Sequence, residues 1–144
     1  MRPQSPQQVE KKMSEAFQRI RTAVARGVID AAGDIRNIAV KRAPVDTGNL
    51  RRSAEVLVDG SSGPSMNATS NTRYVTVRFT APYAGYVHSA AGKLRGVARS
   101  PPHRGRYWDP TGAGPKFLAK AVEEVQGRMK VYIKRRIAQV MPRA

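Results

Sequence analysis

Three groups of residues in this chain have the types that could do chemistry. The first is Asp46-Thr47-Gly48. This triplet carries the catalytic aspartate in aspartic proteases, which need two aspartates sharing one proton. Those enzymes set the triplet after an apolar strand. Here the flanks are Arg42-Ala43-Pro44-Val45 and Asn49-Leu50-Arg51-Arg52, a helix end followed by a basic segment. The flanks support a turn instead. Asp46 can accept hydrogen bonds from N–H groups two or three residues on and start a short helical turn. The second group is His88 and His103, each suited by type to general-base work. From Gly60 to Trp108 there is no acidic residue, so the local sequence offers no carboxylate to orient either imidazole. The third group is basic. Between Asp59 and Asp109 stand seven Lys or Arg and no acid: Arg73, Arg78, Lys93, Arg95, Arg99, Arg104 and Arg106. The last five share one segment with His103, Tyr107 and Trp108. Such a segment suits phosphate contacts with aromatic stacking, or an acidic protein surface. Neither zinc-finger spacing nor an RNA-binding aromatic signature accompanies it, which argues against sequence-specific readout.

Composition bounds these readings. The 144 residues fit one domain, 1–144. Lys plus Arg total 26 against 10 Asp plus Glu, a net charge of +16. That exceeds what solubility asks of a small domain. A hydrophobic fraction of 40% allows a modest core. There is no cysteine, so disulfides, thiolate metal sites and cysteine nucleophiles are excluded. Two histidines cannot build a multi-histidine metal cage. No apolar run approaches the roughly 20 residues of a membrane span. Met1 to Glu10 lacks the apolar core of a signal peptide. The expectation is a protein without metal, cofactor or membrane partner, kept in a cytoplasm or in something assembled there.

The elements that must position these residues follow from periodicity. Residues 1–7 read as a flexible arm, with Ser5-Pro6 resembling an N-cap and a proline at the first helical position. From about Gln8 to Arg42, apolar residues fall at Met13, Phe17, Ile20, Val24, Val28, Ala31, Ile35 and Ile38. Steps of three and four predict one long helix with a single apolar stripe. Gly27 and Gly33 within it suggest a bend or a close contact. Ala43-Pro44 ends it. Ala54 to Val58 is a candidate strand, and 59–72 an extended, mobile hairpin-type connection. Arg73 to Thr80 alternates, with Val75, Val77 and Phe79 on one face and Thr76 and Arg78 on the other. Tyr83 to Ala91 predicts one or two helical turns. Residues 92–114 form a long irregular loop of the kind that is usually functional or disordered. Pro115 opens a second long helix to about Val140, with a stripe of Leu118, Val122, Val125, Met129, Tyr132, Ile133, Ile137 and Val140. The fold class is α+β: two long helices on one face of a small, mostly antiparallel sheet.

Three blocks taken in order carry a resemblance. They are Ala43-Pro44-Val45-Asp46-Thr47-Gly48-Asn49-Leu50-Arg51-Arg52-Ser53, Pro82-Tyr83-Ala84-Gly85-Tyr86-Val87-His88, and Gly114-Pro115-Lys116-Phe117-Leu118. Together they resemble the tail-component family of tailed bacteriophages, also described as minor capsid, neck or tail-completion proteins of the head–tail joint. The resemblance runs from about residue 10 to 140. Family members often carry Glu and a Gly-Thr pair after the Tyr-Val block, where this chain has His88-Ser89-Ala90. The basic insert from Lys93 to Arg106 is also peculiar to it.

The resemblance implies a structural virion protein without enzyme activity. Copies would form a six-fold ring between connector and tail terminator or tail tube, assembled in the host cytoplasm. Genomic DNA would pass through it, touched without specificity. The Asp46-Thr47-Gly48 turn would redirect the chain from helix to sheet. Tyr83, Tyr86, Phe117 and Leu118 would anchor the sheet on the helices. Loops 59–72 and 92–114 would reach neighbouring subunits. Two other readings stand beside it: a non-sequence-specific nucleic-acid-binding protein acting outside any particle, and the protease at Asp46.

Overall fold

A computed structural model describes residues 2–43, 49–62, 67–89, 114 and 116–141. The first element, α1, runs Pro6–Arg42. At about 1.5 Å per residue its 37 residues span roughly 55 Å. Its start is fully capped. The Ser5 hydroxyl accepts from the Gln8 N–H at 3.2 Å, and the Gln8 side chain accepts from the Ser5 N–H at 3.0 Å. Its end is also held. Ala43 turns extended ahead of Pro44, and the Arg51 guanidinium donates to the carbonyls of Ala43 and Lys41. Arg51 thereby satisfies C-terminal groups that the helix leaves open. It sits on α2, Asn49–Arg52, which tucks Leu50 into the core.

Among the described residues the sheet is a two-stranded antiparallel pair, β1 Ala54–Val58 and β2 Val75–Phe79, with Val56 opposite Val77. A lone pair of strands is marginal in water, so α1 must cover it. Arg36 on α1 donates to the Ala54 carbonyl at 3.2 Å. The alternation of β2 is as the sequence predicts: Val75, Val77 and Phe79 turn inward, Thr76 and Arg78 outward. At the start of the 59–72 connection, Asp59 takes φ 50° and Gly60 φ 81°. Asp59 offsets that turn by accepting from the N–H groups of Arg73 and Tyr74.

The short helix α3, Ala84–Ser89, follows the sheet. The predicted second long helix is divided into α4, Phe117–Gln126, and α5, Met129–Val140, with Gly127 and Arg128 between them. The division lets each half meet a different surface. α4 buries Phe117, Ala121 and Val125 in the central core, while α5 lies along α1. A single stripe does not describe this. Val122 is exposed and Ala121 takes its place inside.

Phe117 is the hub of the core. It is 1% exposed and meets Phe79 edge-on at 4.9 Å and His88 edge-on at 5.2 Å. Around it gather Ala31, Ile35, Ala39, Leu50, Ala84 and Val125. Leu118 packs against this cluster as expected. Tyr83 and Tyr86 do not: they are exposed, Tyr86 at 82%. They lie on or beside a helix of six residues whose buried position is the small Ala84, so the tyrosines take the outer side.

α5 runs antiparallel to α1. Arg136 donates to both carboxylate oxygens of Asp30, at 2.6 and 2.9 Å, and the Tyr132 hydroxyl donates to Asp34. That bond to a carboxylate raises the Tyr132 pKa. About one turn before Asp30 the backbones of the two helices come close at Gly27. A Cβ on Gly27 would lie 2.7 Å from the Ile133 Cα. Gly27 is the close contact foreseen from sequence; at Gly33 a Cβ would meet nothing within 4 Å.

Two outcomes follow from this packing. Gly27→Ala should destabilise the fold by about 1–3 kcal/mol through overpacking. Gly33→Ala should stabilise it by about 0.5–1 kcal/mol through helix propensity. Urea unfolding of both variants checks the pair. The second outcome concerns His88, whose Nε2 accepts from the Ala119 N–H at the start of α4. Burial, then the neighbouring Lys116 charge, lowers its pKa. The unfolded imidazole, with a pKa of about 6.5, therefore protonates before the folded one. The stability contributed here is complete above that pH and is lost as pH falls through the lower folded value. The stability difference between wild type and His88→Ala should shrink from roughly pH 7 to pH 5. A difference that stays constant would refute this role.

Candidate functional site

Of the residues singled out from sequence, Asp46-Thr47-Gly48 and His103 lie outside the described residues, as do Lys93, Arg95, Arg99, Arg104 and Arg106. The turn that Asp46 is expected to start is nonetheless followed by helical Asn49–Arg52. His88 is described, and its work is structural. Its ring packs on Phe117, its Nε2 receives the Ala119 N–H, and its carbonyl accepts from the Lys116 N–H at 2.9 Å. It stands in for the side-chain cap that α4 lacks, since Lys116 at the N-cap position makes none. Among the described residues no cluster of His, Asp or Glu could hold a metal ion. None of their helices is long and apolar enough to cross a membrane.

The described residues also fix where the basic segment is rooted. Gly114 donates to the Arg42 carbonyl at 2.9 Å, and Lys116 to that of His88. The described residues flanking 90–113 are thus tied together at the junction of α1, α3 and α4.

Two further surfaces stand out, and only the exposure of the first escaped the sequence reading. The first is the N-terminal part of α1. Val9, Met13 and Phe17 are 42, 55 and 61% exposed. They continue the face that buries Ala31 and Ile35 further along, so the predicted stripe is correct in phase but covered only over its second half. Its flanks carry Glu10, Ser14, Gln18 and Arg21, and the four apolar residues Pro6, Val9, Met13 and Phe17 line a shallow groove. The exposure is not legible in a sequence that reads α4 and α5 as one long helix; only the division leaves a 12-residue α5 beside the 37-residue α1. An exposed apolar stripe rimmed by polar residues is the kind of surface that interaction sites use.

The second surface is the outward side of α5 and its N-cap. Arg128, Lys130, Lys134 and Arg135 are exposed. Arg136 belongs to the same basic run in sequence, yet it is bound to Asp30. This sorting depends on the partner helix and is invisible in one dimension. Acids elsewhere are similarly engaged: Glu124 with Arg42, Glu55 with Arg78, and Asp59 with the backbone of β2's approach.

Comparison with known proteins adds one finding. Residues 7–88, more than half of the chain and spanning α1 to α3, match the family described as "Bacteriophage HK97-gp10, putative tail-component". No curated protein and no solved structure matches the chain. The matched region holds the long helix, the Arg51 hook, both strands and the His88 helix, which is the scaffold derived above from residue chemistry. The chain belongs to the HK97-gp10-like family of bacteriophage tail components and is a structural phage tail protein, part of the virion.

Proposed function

We propose that this tail protein acts at the head–tail joint, where copies assemble into a closed ring that completes the tail and connects it to the head. The observation that carries this reading is the open apolar stripe of Val9, Met13 and Phe17 on a helix whose end is already capped. The helix is finished, yet its apolar face is not. Burying each such side chain contributes roughly 1.5–3 kcal/mol, and an interface repeated around a ring multiplies that gain. A contact between this stripe and a different patch on the next copy is head-to-tail, the type that generates rings when the rotation closes. Six-fold symmetry suits a neck. Connector, tail terminator or tail tube would be the flanking partners, and double-stranded DNA would occupy the channel. The segment with Lys93, Arg95, Arg99, Arg104 and Arg106 would then touch DNA phosphate or acidic neighbours without reading sequence. No step of this role calls for catalysis.

A free nucleic-acid-binding protein acting outside a particle is the other reading that the +16 charge favours. It would bind DNA as a monomer. Sedimentation separates the two. Met13→Glu with Phe17→Glu should convert the assembled protein to monomers with unchanged helix content, because both side chains are exposed in the subunit. A wild-type protein that is already monomeric at all concentrations would overturn the ring. Changing Arg95, Arg99, Arg104 and Arg106 to serine should impair assembly or DNA retention in the particle. If both are unaltered, the role given to that segment fails.

A further inference from the structure

Helix α5 and its N-cap hold four cations for which the described residues provide no acidic partner. Its sequence, Met-Lys-Val-Tyr-Ile-Lys-Arg-Arg-Ile-Ala-Gln-Val, contains no acid. Arg136 is satisfied by Asp30, which leaves Lys130, Lys134 and Arg135, with Arg128 at the N-cap position, all exposed. Helical periodicity sorts them into two rails. Lys130 and Lys134 are one turn apart, about 6 Å between Cβ atoms. Arg128 and Arg135 flank Tyr132 on the other side, close enough for both charges to act on its hydroxyl. Between the rails run only Val131 and Ala138.

A merely solvated face does not account for this arrangement. Arg128 and Lys130 stand at the positive end of the helix dipole, where cations are disfavoured, and the first turn has no acid to offset them. An anion on this face relieves both the dipole and the mutual repulsion. The face is a poor centre for a protein interface, which favours aromatic residues and is depleted in lysine. The apolar patch that does suit a protein partner lies elsewhere, at Val9, Met13 and Phe17.

We infer that the outward face of α5, through Arg128, Lys130, Lys134 and Arg135, is a binding surface for the phosphate backbone of duplex DNA. It is a second polyanion contact, distinct from the 93–106 segment, and is built on a helix rigidly held by Gly27, Asp30 and Asp34. The contact rests on the head–tail reading only for the place where the DNA is met. Its cations contact phosphate oxygens, so binding is independent of sequence and strongly dependent on salt.

The test uses the full chain and a labelled duplex of random sequence, titrated across a salt series. Changing all four cations to glutamine should lower the slope of log affinity against log salt by about three to four. Affinity at low salt should drop by at least about tenfold. Helix content and sedimentation should stay those of the wild type. The Met13→Glu, Phe17→Glu variant gives the independent arm. If it stays bound as tightly as wild type while the glutamine variant does not, the ring reading fails and the α5 contact stands. An unchanged salt slope in the glutamine variant overturns the contact whatever the oligomeric state. So does a wild type that does not bind the duplex. Poly-L-glutamate is the competing probe. If it displaces the duplex at equal charge concentration, the surface is one for acidic protein and the inference is overturned.

Discussion

The whole subunit depends on α1 presenting almost no side chain where others must approach it. Its buried positions are Ala23, Ala25, Gly27, Ala31, Ala32 and Ala39, with Ile35 the one large residue. An alanine-lined helix contributes little volume, so the core must be filled from the far side. Phe117, Val125, Leu50, Val56, Leu57 and Val58 do this. Close approach then becomes a condition of packing, because a gap along α1 would forfeit the dispersion contacts that a dense interior supplies. The backbone contact at Gly27 is the extreme of the same rule, and it sets the path of α5. The break at Gly127 and Arg128 follows, since α4 and α5 must reach different parts of one thin helix.

Charge is arranged by the same packing. The seam between α1 and α5 is fastened by a two-point Asp30–Arg136 pair and by Tyr132 on Asp34. A bidentate carboxylate–guanidinium pair is directional, so it fixes the register of α5 as well as attaching it. Pairs at the surface, such as Glu55 with Arg78, contribute little individually. Their larger effect is on what remains. Each pair cancels one acid against one base and leaves the net +16 unchanged, and the cations without such a partner stand out on surfaces such as that of α5.

Much of this fold was legible in one dimension. The limits of α1, the inward face of β2 and the short helix at His88 follow from spacing, proline and capping chemistry, which are local. What was not legible needed a second element. Val122 fits a 3.6-residue stripe, yet α4 turns Phe117, Ala121 and Val125 inward and leaves Val122 outside. Tyr83 and Tyr86 look like anchors by type, yet the small Ala84 takes the buried place. Phe17 belongs to a perfect apolar stripe and is bare because α5 is too short to reach it. Arg136 and Arg135 are indistinguishable neighbours until Asp30 selects one. The basic 93–106 segment was visible as composition, and the residues described around it give only where it is rooted.

That rooting has an architectural consequence. Because Gly114 is bonded to Arg42 and Lys116 to His88, the described residues on either side of 90–113 meet at one place on the body. Closing a loop costs only about 0.6 kcal/mol more for each doubling of its length. The length of sequence joining those flanks is therefore a weak constraint on the scaffold of α1, the hairpin and Phe117. A tail protein built this way can vary that length of sequence while keeping the scaffold that carries it.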